Sequence, residues 1–339
     1  MNKNFLSSLI LAGALTVGSL NAQTFGGGNG SYSNPWQINI KSHLQELDNV
    51  MQQSPNNWTW GKYFRLMNDI TDSVNFVIGH AQLSFRGYFY GGGKKITLAI
   101  NNTTSAYNSN FIALFRQFSN TGRIDSLKVD GYVTTTIGQA AGIVCLISNG
   151  MTNNCINNAT ITNNSIIGSA NGYAAGIAAN VNIGAITNCT NNGNTTSYYQ
   201  AAGIVANIRR GVVMHCVNNG KILVTADING NVGGGYDIPP TQRIGGIGAV
   251  VSDNSTILKC ANLGKVECYN NQSNIYIRTF VGGIIGDVGG DSVEIIENIN
   301  YGFVKTDVIL SHTSSAVGGI VGMAGGNSNP YMMNDIREL

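Results

Sequence analysis

Apolar residues along this chain come in short runs, β-branched or alanine-rich, each broken by Asn or Gly. GIVANI, VVMHCVN and GKILVTA follow one another between 203 and 226. A helix needs apolar positions at 3.6-residue spacing over ten or more residues, and these runs do not supply it. β-branched side chains favour strands, and Asn and Gly tolerate the left-handed backbone of tight bends. Three short strands separated by such bends predict one coil of a parallel β-helix.

The coil repeats. A Gly-hydrophobic core reads AAGIV at 140–144, AAGIA at 174–178, AAGIV at 201–205, GGIGA at 245–249, VGGII at 281–285 and VGGIV at 317–321. A second pattern, C-x-N-x-G or a variant, reads CINNA at 155–159, CTNNG at 189–193, CVNNG at 216–220, CANLG at 260–264 and NINYG at 298–302. The glycines before Ile are Gly142, Gly176, Gly203, Gly246, Gly283 and Gly319; the second markers are Cys155, Cys189, Cys216, Cys260 and Asn298. From glycine to marker the separations are 13, 13, 13, 14 and 15 residues, and from marker to next glycine 21, 14, 30, 23 and 21. One arm of each unit is fixed in length and the other takes insertions. ALFRQ at 113–117 with LKVDG at 127–131 is a degenerate earlier unit.

Repeats of this period mean a solenoid, because each unit buries its apolar face only against its neighbours. The predicted class is all-β, a right-handed parallel β-helix, since parallel crossovers are almost always right-handed. Leucine-rich repeats are the rival, and their Leu spacing is missing.

Residues 23–110 precede the regular array, which runs over 111–339. TFGGGNGSYSNPW at 24–36 reads as a Gly-rich leading loop. A short amphipathic helix over 42–53 follows, with Ser42 and Gln45 as a capping box and Leu44, Leu47, Val50 and Met51 on one face. A solenoid end exposes strand edge and apolar core, so this helix is expected to belong to an N-terminal cap. GKYFRLMNDI at 61–70 and FRGYFYGGGKKITLAI at 85–100 supply the first strands, with a tight bend at 91–93.

Residues 1–22 have the charged start, apolar run and small final residue (Ala22) of a secretory signal. The expected location is therefore secreted or at the outer cell surface, with no membrane span after signal removal. Only 11% of residues are charged and the net charge is +2, so neither a nucleic-acid footprint nor an acidic calcium-binding surplus is present.

The Gly-hydrophobic core followed by the Cys/Asn-x-Asn-x-Gly strand resembles the GLUG-motif repeats of secreted bacterial proteins, common on Bacteroidetes-type surfaces. NPWQI, GKYFRLMNDI, FRGYFYGGGKKITLAI and ALFRQ resemble that family's opening series. The resemblance covers roughly 30–322. It implies a β-helical, surface or secreted, adhesin-like protein with no shared catalytic residues. The middle cores carry AAG where the family more often has GG, an exchange expected to matter little for packing. The chain ends soon after opening a sixth unit at Gly319, and a coil cut short or closed by its own last residues is expected there.

Cys155, Cys189, Cys216 and Cys260 share one register and should stack about 4.8 Å apart. An inward ladder of small buried hydrophobes is the favoured reading; disulfides are open in an exported protein, though parallel side chains fit their torsion badly. No C-x-x-C pair supports zinc, and neither metal nor cofactor is expected. Cys145 and Cys268 are off register. His215 beside Cys216 would point to the opposite strand face. His43, His80 and His312 read as surface or turn residues. Asp287, Asp291, Glu294 and Glu297 form the densest acidic stretch, where Asp287 and Asp291 are candidates to flank a cation. Arg209, Arg210 and Lys221 form a basic spot with no evident acidic partner. Asp69 and Asp72 read as turn formers. FGGGNG and VGGGYD lack the strand–helix context of a phosphate loop.

The variable arms should leave one edge of the solenoid, where insertions often mark a binding face. The largest span about 225–243 and 268–279. They and the neighbouring short arm carry Tyr198, Tyr199, Tyr236, Tyr269, Tyr276 and Arg278, candidate contacts for sugars or peptides. The favoured function is a non-catalytic adhesin-like protein contacting an extracellular glycan or a host or matrix protein. The alternatives are a β-helical carbohydrate-active enzyme and a structural stalk.

Overall fold

Strand alternation places one set of side chains inside and its neighbours outside, and three flat walls result. The computed structural model describes residues 25–53, 58–79, 83–102, 110–165, 172–226, 241–270, 278–307 and 315–325. The expected signal segment and the last residues of the chain lie outside these. Among the described residues the strands form sheets of 13, 7 and 13 members, and neighbouring strands pair in parallel, coil upon coil. The chain is a parallel β-solenoid.

One coil shows how the motif is spent. Gln139–Ala141 lies in the second sheet, and Gly142 and Ile143 make the bend. Val144–Asn153 runs along the first sheet, and Ile156–Asn157 with Thr160–Asn163 forms the third. The next coil repeats this with Tyr173–Ala175, Ala178–Thr187, Thr190–Asn191 and Thr195–Ser197. Ile147, Val181, Ile208 and Val251 pair in register up the first sheet and are buried.

The fixed arm has a steric and a polar cause. The third residue of C-x-N-x-G forms a buried asparagine ladder: the Nδ2 of Asn157 donates to Oδ1 of Asn191 at 2.7 Å, Asn191 to Asn218 at 2.8 Å, Asn218 to Asn262 at 2.7 Å and Asn262 to Asn300 at 2.8 Å. Each Nδ2 also donates to the carbonyl two residues on, so both amide protons are used. The repeat glycine sits against this amide. A Cβ on Gly142, Gly176, Gly203, Gly246 or Gly283 would lie 2.2–2.4 Å from a side-chain atom of the ladder asparagine in its own coil. Glycine and asparagine are thus two halves of one contact, which holds the arm's length.

Cys155, Cys189, Cys216 and Cys260 are buried free thiols, stacked one coil apart with Leu127 below them. Each thiol donates to the carbonyl two residues before it, at 3.1–3.4 Å. Asn298 takes the fifth place and accepts the Cys260 N–H at 2.8 Å. Burial pushes the Cys155, Cys189 and Cys216 thiols well up, and raises Cys145 and Cys268 to about 12. All six cysteines are buried, and so are expected to ignore a soluble thiol reagent at pH 8 and to react only in denaturant; reaction of one in the folded protein contradicts the ladder.

The residue before each marker is left-handed: Asn154, Asn188, His215, Lys259 and Glu297 have φ of 51–54°. His215 and Cys216 therefore part company at a left-handed bend rather than along a strand, and His215 is exposed while Cys216 is buried. Asn suits this backbone and Lys does not. The exposed Lys259–Glu297 pair at 3.2 Å contributes little, so Lys259→Asn is expected to stabilise by about 0.5–1 kcal/mol in a urea melt.

Two expectations need correction. The helix is Lys41–Gln53, and its start is held by the Asn39 N–H donating to His43 Nδ1 at 3.1 Å. Ser42 and Gln45 form no capping box; Gln45 turns toward Asp48 and Asn49, and the buried face is Leu44, Leu47, Asp48 and Met51, with Val50 half-buried. The exchange of AAG for GG is not neutral: a Cβ on Gly245, Gly282 or Gly318 would lie 1.9 Å from a carbonyl oxygen, whereas Ala141, Ala175 and Ala202 fit fully buried. The segments 61–70 and 85–100 do supply early strands: Trp36–Ile38, Tyr63–Leu66 and Tyr88–Tyr90 extend the first sheet.

Candidate functional site

The variable arms do leave between the same two walls. The chain segments following Lys95–Asn102, Thr160–Asn163, Ile222–Ala226, Val266–Asn270 and Val304–Thr306 all lead from the third sheet to the second. Tyr236 and Tyr276 lie outside the described residues. Tyr198 is half-buried, and its carbonyl accepts from Gln242 Nε2 at 3.2 Å. Tyr199 is 1% exposed and cannot offer a ring to a ligand. Only two residues, Tyr198 and Tyr199, join Thr195–Ser197 to Gln200–Ala202, so the second is drawn into the wall. Tyr269 is half-buried under Lys305, whose Nζ stands 5.4 Å from the ring centroid. Ser197 pairs with Val224, and Val224 with Cys268, so Tyr198 and Tyr269 stand two coil steps apart, roughly 10 Å. Arg278 is half-buried at the start of Arg278–Gly282.

Asp287 and Glu294 pair across coils through their side chains, and Asp291 through its backbone carbonyl alone. Asp287 Oδ2 accepts from Arg243 Nε at 2.7 Å, Glu294 from the Thr256 hydroxyl at 3.1 Å, and the Asp291 carbonyl from the Asn254 N–H at 2.8 Å. Asp287 thus faces the Arg243 guanidinium across the coils. The basic spot also finds partners: Arg209 Nε lies 2.7 Å from Asp253, and Lys221 Nζ 2.5 Å from Glu267. The Lys221 hydrogen bond holds the Glu267 carboxyl below its usual range. Asp69 accepts the Lys95 N–H at 3.0 Å, a contact between coils. Among the described residues no three His, Cys, Asp or Glu side chains gather where they could hold a metal.

The aromatic surface lies elsewhere, on the outer face of the first sheet near the cap. In Tyr63–Leu66 and Tyr88–Tyr90, Phe64, Leu66 and Phe89 point inward and are buried. Alternation turns Tyr63, Arg65, Tyr88 and Tyr90 outward. Tyr63 stacks on Tyr88 with ring centroids 4.6 Å apart and planes 7° from parallel, and lies 6.4 Å from Tyr90 at 6°. Tyr32, 75% exposed, meets Tyr63 edge-on at 5.4 Å. A cavity of about 330 Å³ adjoins the row, lined by Arg65, Leu66, Met67, Tyr90, Gly92 and Ser126. Beyond it Asp125 accepts from Arg123, Ser126 and Asn153 at 2.7–2.9 Å. Burial pushes Asp125 up, but these three hydrogen bonds outweigh it and hold the carboxyl below its usual range. Flat rings flanked by guanidinium and carboxylate suit sugar rings or extended polar chains. The alternation of YFRL and GYFY carries the signal for this face.

No family model matches the chain. A protein of Evansella cellulosilytica, provisionally named a Gly-rich membrane protein, is 28% identical over 143 residues. That match takes in 40% of this chain but 15% of the relative's length. Among solved structures, a Bacteroides ovatus protein provisionally named an immunoglobulin A1 protease is similar in fold, with a TM-score of 0.59 at 18% identity over 89% of this chain and 87% of that one. That likeness concerns the fold. Among the described residues no helix is long and apolar enough to cross a membrane.

Proposed function

We propose that this chain is a non-catalytic, adhesin-like binding protein that works outside the cell and holds glycan chains against the outer face of its first sheet. The observation that carries the reading is the parallel row of Tyr63, Tyr88 and Tyr90 beside an Arg-lined cavity. A rigid wall holds these rings, so little side-chain freedom is lost on binding. The GLUG-like repeats and the signal-like residues 1–22 support a secreted or surface location, and so does the membrane-protein name of the Evansella relative. The Bacteroides neighbour's protease name raises turnover as the rival. Against it stand buried cysteines with raised thiols and two candidate carboxylates, Asp287 and Glu294, already paired with Arg243 and the Thr256 hydroxyl.

A second reading places a matrix protein or peptide on the loop edge, and the Tyr269–Lys305 contact favours it. The test passes the full chain over immobilised polysaccharides and matrix proteins and scores both retention and release of soluble sugar. Retention on a polysaccharide without release is expected. Combined Tyr63→Ala, Tyr88→Ala and Tyr90→Ala should weaken it at least tenfold, as the loss of three stacking rings implies. Release of sugar contradicts the non-catalytic reading. Retention that survives the triple variant but falls with Tyr269→Ala and Arg278→Ala moves the contact to the loop edge.

A further inference from the structure

A second concave site lies on another part of the cap. Helix Lys41–Gln53 sets Leu44, Leu47 and Met51 into the core, and Asp48 goes in with them at 4% exposure. Asp48 Oδ1 accepts the Gly79 N–H at 2.9 Å, and the Gly79 carbonyl accepts Arg116 Nε at 3.0 Å. Gln52 Nε2 donates to Asp48 Oδ2 at 2.7 Å, and Gln45 Nε2 reaches the same oxygen at 3.4 Å. This chain of contacts ties the helix to the first coils, and it borders a cavity of about 490 Å³. Burial pushes the Asp48 carboxyl up, against the pull of the Gly79, Gln52 and Arg116 contacts.

The lining is dense in amides. Gln45, Asn49, Gln52, Asn75, Asn101 and Asn102 all face the cavity, with one carboxylate, one guanidinium and the Phe76 ring. Gln45 donates both amide protons, to Asp48 and Asn49, and Gln52 donates one to Asp48, which leaves both carbonyl oxygens as acceptors. Asn75 and Asn101 stand exposed at the rim, and no described residue takes a hydrogen bond from either side chain. Asp48 and Arg116 offset each other in charge. Amides that both donate and accept, an aromatic face and near-zero net charge match hydroxyl groups rather than an ion. The volume falls within the usual range for small-molecule sites.

We infer that the cavity between helix Lys41–Gln53 and the first coils binds a small neutral polyhydroxylated ligand, a single sugar or a sugar alcohol, held by the Gln45, Gln52, Asn75 and Asn101 amides. This site stands apart from the tyrosine face and does not rest on it.

The full chain is titrated calorimetrically with D-glucose, D-galactose, N-acetyl-D-glucosamine and myo-inositol, and with sodium acetate and inorganic phosphate as charged probes. Saturable binding of at least one neutral probe is expected, with Asn75→Ala and Asn101→Ala each weakening it three- to tenfold. Asn101→Trp, which fills the rim, should abolish it while the thermal melt is unchanged. Should that variant melt early, Asn75→Trp is read in its place. The Tyr63→Ala, Tyr88→Ala, Tyr90→Ala variant should bind the neutral probe as the natural chain does, so failure of the tyrosine face and failure of the cavity are told apart. Saturation by none of the four neutral probes, tighter binding of a charged probe, or binding untouched by the Trp variants overturns the inference.

Discussion

Asn218→Ala is expected to destabilise the solenoid by about 3–5 kcal/mol. Asn218 is fully buried. Its Nδ2 donates to the Gly220 carbonyl at 2.9 Å and to Asn262 Oδ1 at 2.7 Å, and its own Oδ1 accepts from Asn191 at 2.8 Å. Truncation removes all three bonds. It also strands an Asn191 proton, an Asn262 oxygen and a Gly220 carbonyl away from water, and each orphaned group costs about 1–3 kcal/mol. Because each coil contacts only its neighbours, the damage should be local in origin. Hydrogen exchange on the folded chain should show lost protection in the Cys189 to Gly264 coils first, with the cap strands keeping theirs. A urea melt within 1 kcal/mol of the natural chain contradicts the ladder.

Gly203→Ala is the second large effect. Its Cβ would lie 2.2 Å from Asn218 Cγ and 2.3 Å from both Asn218 Oδ1 and the Gly246 carbonyl oxygen. Two of these atoms belong to the ladder and one to backbone, so none can move without breaking a hydrogen bond. Overpacking of this kind costs about 1–3 kcal/mol where a core can relax, and this one cannot, so at least 3 kcal/mol is expected. Gly319 occupies the same place in the sixth repeat, and a Cβ there meets no described residue within 4 Å. Gly319→Ala should therefore fall within about 0.5 kcal/mol of the natural chain in the same melt. Equal costs at the two glycines would show that backbone preference, rather than contact with asparagine, selects glycine.

What the chain reveals before folding depends on whether a feature repeats. The glycine and cysteine markers, the fixed arm and the variable arm are all visible because they recur, and the coil follows from them. The asparagine ladder lies in the same C-x-N-x-G string, yet its bonds join residues 27 to 44 positions apart, such as Asn191 with Asn218 and Asn218 with Asn262. Only the register of successive coils brings them together. The tyrosine row is harder still to foresee. Tyr63 and Tyr88 meet because the strands carrying them are neighbours in the irregular first coils, where no repeat announces the pairing. Tyr199 fails as a contact residue because the shortest arm has no length with which to project it. Asp48 sits on the apolar face of its helix for a reason the helical pattern does not contain, the Gly79 N–H on a distant segment.

The most direct test of the binding face is a tyrosine nitration footprint of the full chain, alone and saturated with the polysaccharide that retains it. Tyr63, Tyr88 and Tyr90 should lose reactivity on binding while Tyr198 and Tyr269 keep theirs. Unchanged nitration of the three outward rings, or protection confined to Tyr198 and Tyr269, contradicts glycan binding on the first sheet.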